Sequence, residues 1–168
     1  MASTDFGRSA EFMDMSANRE LLDAVNRSGG WLRARKTRSI RARCAVTAEL
    51  LQTLEGPVQV HAGEYVCRGE RGELWAQSEE ALHRRYAATG EFDSGGWREY
   101  RPLPDSGGVL AIRLDRPFSV VLDRGVLRGK AGDYLLQDFA EGAGEDPRDL
   151  WIVDASIFAA TYRFDQGE

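Results

Sequence analysis

Four residues around one tight bend, Gly56, Ala62, Gly63 and Tyr65, recur 69 positions later as Gly125, Ala131, Gly132 and Tyr134. Further on, Leu74, Trp75 and Tyr86 recur 76 positions later as Leu150, Trp151 and Tyr162, so the second stretch holds seven more residues between its tyrosine and its tryptophan. The added length falls within 139–149, a segment rich in Gly, Asp and Glu that includes Pro147, as expected of a loop tip that tolerates growth. A chain with this internal self-similarity is expected to fold as two related units, here spanning 39–86 and 111–162. Upstream, Ile40-Arg41 pairs weakly with Ile112-Arg113.

Within each stretch apolar and polar residues alternate up to the peptides HAGEY (61–65) and KAGDY (130–134) and continue beyond them as Tyr-Val-Cys or Tyr-Leu-Leu. This pattern predicts a hairpin at each peptide, with Gly63 and Gly132 at positive φ. A second turn, at Gly69 to Gly72 and in the enlarged loop of the second stretch, leads into Leu-Trp and a third strand. Ser78 and Asp154 then stand at matching positions as N-caps, and Leu82 with Tyr86, and Phe158 with Tyr162, are spaced to share one face of a short helix. The stretch 44–55 reads either as helix or as strand, and a strand near Gln52 to Leu54 is favoured by comparison with Phe118 to Leu122. Ser16 is placed to cap an N-terminal helix striped by Leu21, Leu22 and Val25 and ended by Ser28-Gly29-Gly30. Gly95-Gly96, Pro102, Pro104 and Gly107-Gly108 give the segment between the stretches a linker composition, in which Trp97 and Tyr100 imply packing. The expected class is mainly β, of the α+β kind: two tandem antiparallel modules, each ending in a short helix, preceded by an N-terminal helix. The divisions fall at 1–30 for the helical extension, 31–90 for the first module, 91–108 for the linker and 109–168 for the second module.

Composition narrows what such a chain does. Among 168 residues, 42% are hydrophobic, enough apolar surface to form a core, and a net charge of −5 argues against a surface built throughout for nucleic acid. No apolar run reaches bilayer length and the start lacks a secretory pattern, so the expectation is a cytoplasmic protein with no membrane partner. Cys44 and Cys67 show no paired metal-ligand spacing, and both are expected to be reduced thiols.

Candidate binding residues come from the repeated positions and from one basic run. Glu64 and Asp133 follow the bend glycines, where an acid either meets a ligand or holds the turn by a local hydrogen bond, the second role being the more common. Tyr65, Tyr134, Trp75 and Trp151 offer an aromatic platform for a base or peptide, against which core packing is the simpler explanation. Arg33, Arg35, Lys36, Arg38, Arg41 and Arg43 are dense enough to contact phosphate, or to protect an edge strand by charge. No catalytic residue, metal site or cofactor is indicated: His61 and His83 fall opposite Lys130 and Ala159, Cys67 falls opposite Leu136 on an apolar strand, and no phosphate loop or dinucleotide fingerprint is present.

The bend, Trp151 and Phe158 with Tyr162 resemble a family of small bacterial and phage proteins that carry a Pro-Gly-Asp-Tyr motif, a following aromatic residue and a terminal Phe-x-x-x-Tyr. Gly132-Asp133-Tyr134 fits it with Ala131 in place of the proline, whereas the first stretch departs with Glu64 for the acid and Leu82 for the phenylalanine. The resemblance implies a module and supplies no chemistry. The sequence therefore favours a non-catalytic binding module with a protein partner, built by internal duplication. The alternative is nucleotide or nucleic-acid binding through Arg33 to Arg43, and the third reading is an enzyme with a site between the two copies.

Overall fold

The computed structural model describes residues 16–139 and 146–165. After a helix over 16–28 (α1) the chain forms fourteen strands and two further helices among these residues. They are β1 (Leu32–Lys36), β2 (Ile40–Cys44), β3 (Glu49–Thr53), β4 (Gly56–Val60), β5 (Tyr65–Arg68), β6 (Leu74–Gln77), α2 (Glu79–Arg85), β7 (Tyr86–Ala88) and β8 (Arg98–Pro102). There follow β9 (Val109–Arg113), β10 (Phe118–Leu122), β11 (Gly125–Gly129), β12 (Tyr134–Asp138), β13 (Trp151–Val153), α3 (Ala155–Thr161) and β14 (Tyr162–Phe164). All strand pairs are antiparallel, and the fold is mainly β with short helices.

Two five-stranded sheets run in matching order, β6-β5-β2-β8-β7 and β13-β12-β9-β1-β14, and each is accompanied by a two-stranded ribbon, β3-β4 or β10-β11. The fourth strand of each sheet comes from the other half of the chain. Strand β1 lies beside β9 and β14, while β8 lies beside β2 and β7. Their registers agree: Lys36 stands opposite Tyr162 and Pro102 opposite Tyr86. The peptide Ser28-Gly29-Gly30-Trp31 ahead of β1 recurs 66 positions later as Ser94-Gly95-Gly96-Trp97 ahead of β8, at a different spacing from the bends. A cut at 31–90, 91–108 and 109–168 therefore does not follow the sheets, because Leu32–Lys36 completes the second and the supposed linker supplies Arg98–Pro102 to the first. In this alignment Ile40 falls opposite Val109, not Ile112, since β2 and β9 match strand for strand.

The bends also differ from expectation. Gly63 and Gly132 do take positive φ, 90° and 98°. Yet the strands they join do not pair: β4 belongs to its ribbon with β3, whereas β5 pairs with β2 and β6. The turn instead extends the β2–β5 ladder, with the Gly63 N–H donating to Ala45 O at 2.8 Å and the Ala45 N–H to Glu64 O at 2.7 Å. The second bend does the same on Leu114, at 2.7 and 3.0 Å. Each bend thus redirects the chain from ribbon to sheet. The ambiguous 44–55 segment is strand over Glu49–Thr53.

The ribbons hold the halves together by reciprocal backbone bonds. The Gln59 N–H donates to Arg124 O at 2.7 Å and the Arg128 N–H to Glu55 O at 2.8 Å. Backbone comes so close here that a Cβ on Gly125 would stand 2.8 Å from Pro57 O, and one on Gly56 3.2 Å from Val126 O, both at φ values open to glycine. A shared core of Val58, Val60, Val66, Val120, Leu127, Leu135 and Ile152 fills the space between sheets and ribbons, and Leu22 and Val25 of α1 close it. Strand alternation sends Cys67 and Leu136 to the opposite faces, into two outer cores beneath α2 and α3. The halves therefore pack around aliphatic residues, while the tyrosines Tyr65, Tyr86, Tyr100, Tyr134 and Tyr162 sit in the outer cores.

Helix α1 is fixed by one residue in particular. Asn18, fully buried, donates through Nδ2 to Val121 O (2.7 Å) and Pro147 O (3.0 Å) and accepts from the Val121 N–H (2.9 Å). Ser16 is itself helical, and Gly29 ends the helix at φ 69°. Ser78 Oγ caps α2 by accepting from the Ala81 N–H at 3.1 Å, and Asp154 caps α3 by accepting from the Ser156 and Ile157 N–H groups.

Candidate functional site: a cavity between the two sheets

Where β6 of the first sheet approaches β13 of the second, the aliphatic core gives way to a cavity of about 490 Å³. Its walls combine the end of β1, the ribbon turns around Glu55 and Arg124, β6 with the start of α2, the 102–108 loop, and the segment from Arg148 to Asp154. Several walls are matching positions of the two halves: Glu73-Leu74-Trp75 faces the same space as Asp149-Leu150-Trp151, and Tyr86 the same space as Tyr162. A cavity of this size, with aromatic walls and a few polar groups, is typical of small-molecule sites.

Apart from the matching acids Glu73 and Asp149, the charged groups in it do not repeat. Arg85 chelates Asp138, with Nε to Oδ1 at 2.8 Å and Nη2 to Oδ2 at 2.7 Å, while its Nη1 donates to Gln77 Oε1 at 3.0 Å. Arg84 adds a bond to Asp138 at 3.1 Å. Burial works against both charges of this pair, but the fork geometry outweighs it: the Asp138 carboxyl is held below its ordinary pKa and the Arg85 guanidinium above its own. The Arg85 guanidinium also lies 4.4 Å over the Trp151 ring. At the positions matching Gln77, Arg85 and Asp138 stand Val153, Thr161 and Gly69.

Lys36 is the second cation, half-buried at the end of β1, where the matching residue of β8 is Pro102. Its Nζ lies 5.0 Å from the centre of the Trp75 ring and 4.8 Å from that of Tyr162. Among the described residues it has no hydrogen-bond acceptor and no ion pair. Burial lowers its pKa to about 8, with Glu73 opposing. Two carboxyls on the cavity wall are shifted the other way, Asp149 to about 6 by burial and by Asp138, and Glu55 to about 7 by burial and by Asp133. Asp149 Oδ2 accepts from the Asp138 N–H at 3.0 Å. Glu73 Oε1 accepts from the Arg71 N–H at 3.1 Å, whereas Glu73 Oε2 is buried with no partner.

Of the residues singled out from sequence, Trp75, Trp151, Arg35 and Lys36 line this cavity. The other candidates lie elsewhere. Glu64 is taken up by Arg124, at 2.6 and 3.0 Å, and by the His61 N–H at 2.9 Å. Asp133, 2% exposed, accepts from the Lys130 N–H and Nζ, both at 3.0 Å, and from the Ala155 N–H at 3.2 Å. Both acids hold their turns. Tyr65 packs near His83 in one outer core and Tyr134 stacks on Phe158 at 3.9 Å in the other, so the four aromatics form no common platform.

The basic run divides between two sheets, because β1 and β2 go to different ones. Arg33 donates to Gly107 O and lies 3.9 Å over the Phe139 ring, and Arg33 and Arg35 share Asp165. Arg38, Arg41 and Arg43 pair with Glu70, Asp93 and Glu49. No continuous phosphate-binding surface results. Burial pushes the Cys67 thiol up to about 12, as suits an inert core residue, and Cys44 is also free. Arg85 and Asp138 were missed because neither belongs to a motif and their convergence depends on how the sheets meet, whereas Glu73 and Asp149 precede the repeated Leu-Trp and so carried a signal in the sequence.

No group of metal-ligating side chains occurs among the described residues, and none of their helices is long and apolar enough to cross a membrane. No known protein family, curated protein or solved structure matches the chain.

Proposed function

We propose that the protein is a binding module whose ligand is a small polar molecule held in the cavity between the two sheets. One observation carries this reading: Lys36 Nζ, a cation with no hydrogen-bond acceptor and no ion pair among the described residues, stands at a cavity lined also by Trp75, Trp151 and Asp149. A ligand that accepts from Lys36 and donates to Asp149, with an apolar flank for the indoles of Trp75 and Trp151, fits these walls. A cavity of about 490 Å³ is of the size that takes a small molecule, which favours a small ligand over the protein partner expected from sequence.

The matching strand orders and the reciprocal ribbon contacts support an origin by internal duplication with exchange of one strand, from an ancestor of the Pro-Gly-Asp-Tyr type. In such a history the scaffold stays common to both halves while the cavity between them is free to specialise.

Native mass spectrometry after exposure to a protein-free bacterial extract tests the binding reading. The expected result is one small molecule per chain on the wild type, absent when Ala81→Trp fills the cavity and weakened at least tenfold by Lys36→Met. A bound species retained equally by both variants, or no stoichiometric species on the wild type, overturns it.

A further inference from the structure

The chain has twenty-two basic residues, of which only Lys36 and Lys130 are lysines. Their surroundings are opposite. Lys130 is an exposed surface cation whose Nζ donates to Asp154 at 2.6 Å and to Asp133 at 3.0 Å, and those bonds hold its pKa above the ordinary value. Lys36 has no such partner, lies against two aromatic rings and opens onto the cavity. An ammonium meant only to bind an anion is better served by arginine, which keeps its charge when desolvated and which this chain uses at every other cavity cation. What lysine offers, and arginine does not, is a neutral amine within reach of physiological pH.

We propose that Lys36 is a carbonyl-capturing amine, whose Nζ forms a reversible imine with a small hydroxylated aldehyde or ketone seated in the cavity. This rests on the binding reading above and names the chemical class of its ligand. In the step, the neutral Nζ attacks the carbonyl carbon and a C–N bond forms. The carbonyl oxygen then leaves as water, carrying the two hydrogens lost from nitrogen, so that amine and carbonyl give imine and water with no change in oxidation state. Burial disfavours the charged form of the amine, and a pKa near 8 leaves about a tenth of it neutral at pH 7, against well under a thousandth for an unperturbed lysine. Asp149, with a pKa near 6, is present at neutral pH as a base with a minor share of acid, the form suited to moving a proton during loss of water. The Asp149 carboxylate on the cavity wall is also an acceptor for a ligand hydroxyl, and this is why a hydroxylated carbonyl compound is preferred over an apolar one.

The test is reductive trapping on the intact folded chain. Glyceraldehyde and propanal are each supplied at pH 7.5 with cyanoborohydride, which reduces an imine to a stable secondary amine, and modified sites are located by peptide mass mapping. Labelling of Lys36 is expected to proceed at least tenfold faster than that of Lys130. Glyceraldehyde is expected to be preferred over propanal at Lys36 alone, with the preference lost in Asp149→Asn. Equal or faster labelling of Lys130, or an unlabelled Lys36 in folded protein, overturns the proposal. Lys36→Arg separates the two layers, because it keeps a donor but cannot form the imine. Extract-derived ligand that binds the wild type while Lys36 resists trapping leaves the binding reading standing and removes the imine, whereas loss of both removes the cavity as a site.

Discussion

The two ribbon tips make the same backbone contacts and opposite electrostatic ones. Arg124, at one tip, reaches the bend acid Glu64 and forms a two-pronged ion pair in which both side chains are less than one-fifth exposed. At the matching place on the other tip stands Glu55, and the bend acid near it is Asp133, already committed to Lys130. An attraction on one side is thus a repulsion on the other. Backbone geometry tolerated this change because Gln59 and Arg128 donate to main-chain carbonyls whatever side chain the tip carries. The lesson extends to the cavity, where indoles and tyrosines repeat but Lys36, Arg85 and Asp138 do not: the scaffold is common and the chemistry is local.

The largest effect is expected where charge is unmatched by the other half. Asp138→Ala leaves the Arg85 guanidinium without its chelating partner and should lower unfolding free energy by about 3–5 kcal/mol in urea titration, with much of the loss recovered in the double variant Asp138→Ala/Arg85→Met. A loss below about 1 kcal/mol would mean that the pair is solvated. The tips come next. Arg124→Gln strands Glu64 and should cost about 2–3 kcal/mol at pH 7.5.

At the matching tip the sign reverses. Glu55→Gln should stabilise by about 1–2 kcal/mol at pH 7.5. The pH dependence follows from linkage. The folded-state pKa of Glu55, about 7, lies above its unfolded value of about 4.3, so the folded state binds the proton more tightly. Its destabilising contribution is absent below about pH 4, grows as pH rises through the folded pKa and is constant above it. The gain from Glu55→Gln should therefore vanish near pH 4, and a gain independent of pH would contradict the electrostatic cause. The smallest effect belongs to the helix caps. Ser78→Ala should cost about 1 kcal/mol, and less than Asp154→Ala, because Asp154 takes two helix N–H groups and Lys130 besides.

Much of the fold was legible because it is written locally. Ser78, Asp154 and the Leu82/Tyr86 and Phe158/Tyr162 spacings mark the helices within one or two turns of sequence, and the bends at Gly63 and Gly132 follow from backbone conformations that glycine alone adopts cheaply. Which strands the bends connect was not legible. Alternation up to HAGEY is the same whether Val60 and Tyr65 belong to one hairpin or to a ribbon and a sheet, and only the long-range bonds to Ala45 decide. The crossed placement of β1 and β8 is marked by the repeated Ser-Gly-Gly-Trp, but at a spacing of 66, displaced by three from that of the bends, so an alignment anchored on the bends does not contain it. Lys36 was noticed only as one of six basic residues. That it reaches a cavity without an acidic partner, whereas Arg35 and Arg38 have theirs in Asp165 and Glu70, depends on the sheet to which its strand is given.

Because the chain has only two lysines, isotope labelling of lysine side chains gives two resolvable titration curves. Nuclear magnetic resonance of the labelled Nζ and Cε groups, followed across alkaline pH, measures whether the cavity holds an unpartnered amine. Lys36 is predicted to titrate near pH 8 and Lys130 above its ordinary value. Coincident curves at the ordinary lysine value, or a Lys36 that titrates above Lys130, would contradict the cavity as a site made for a ligand.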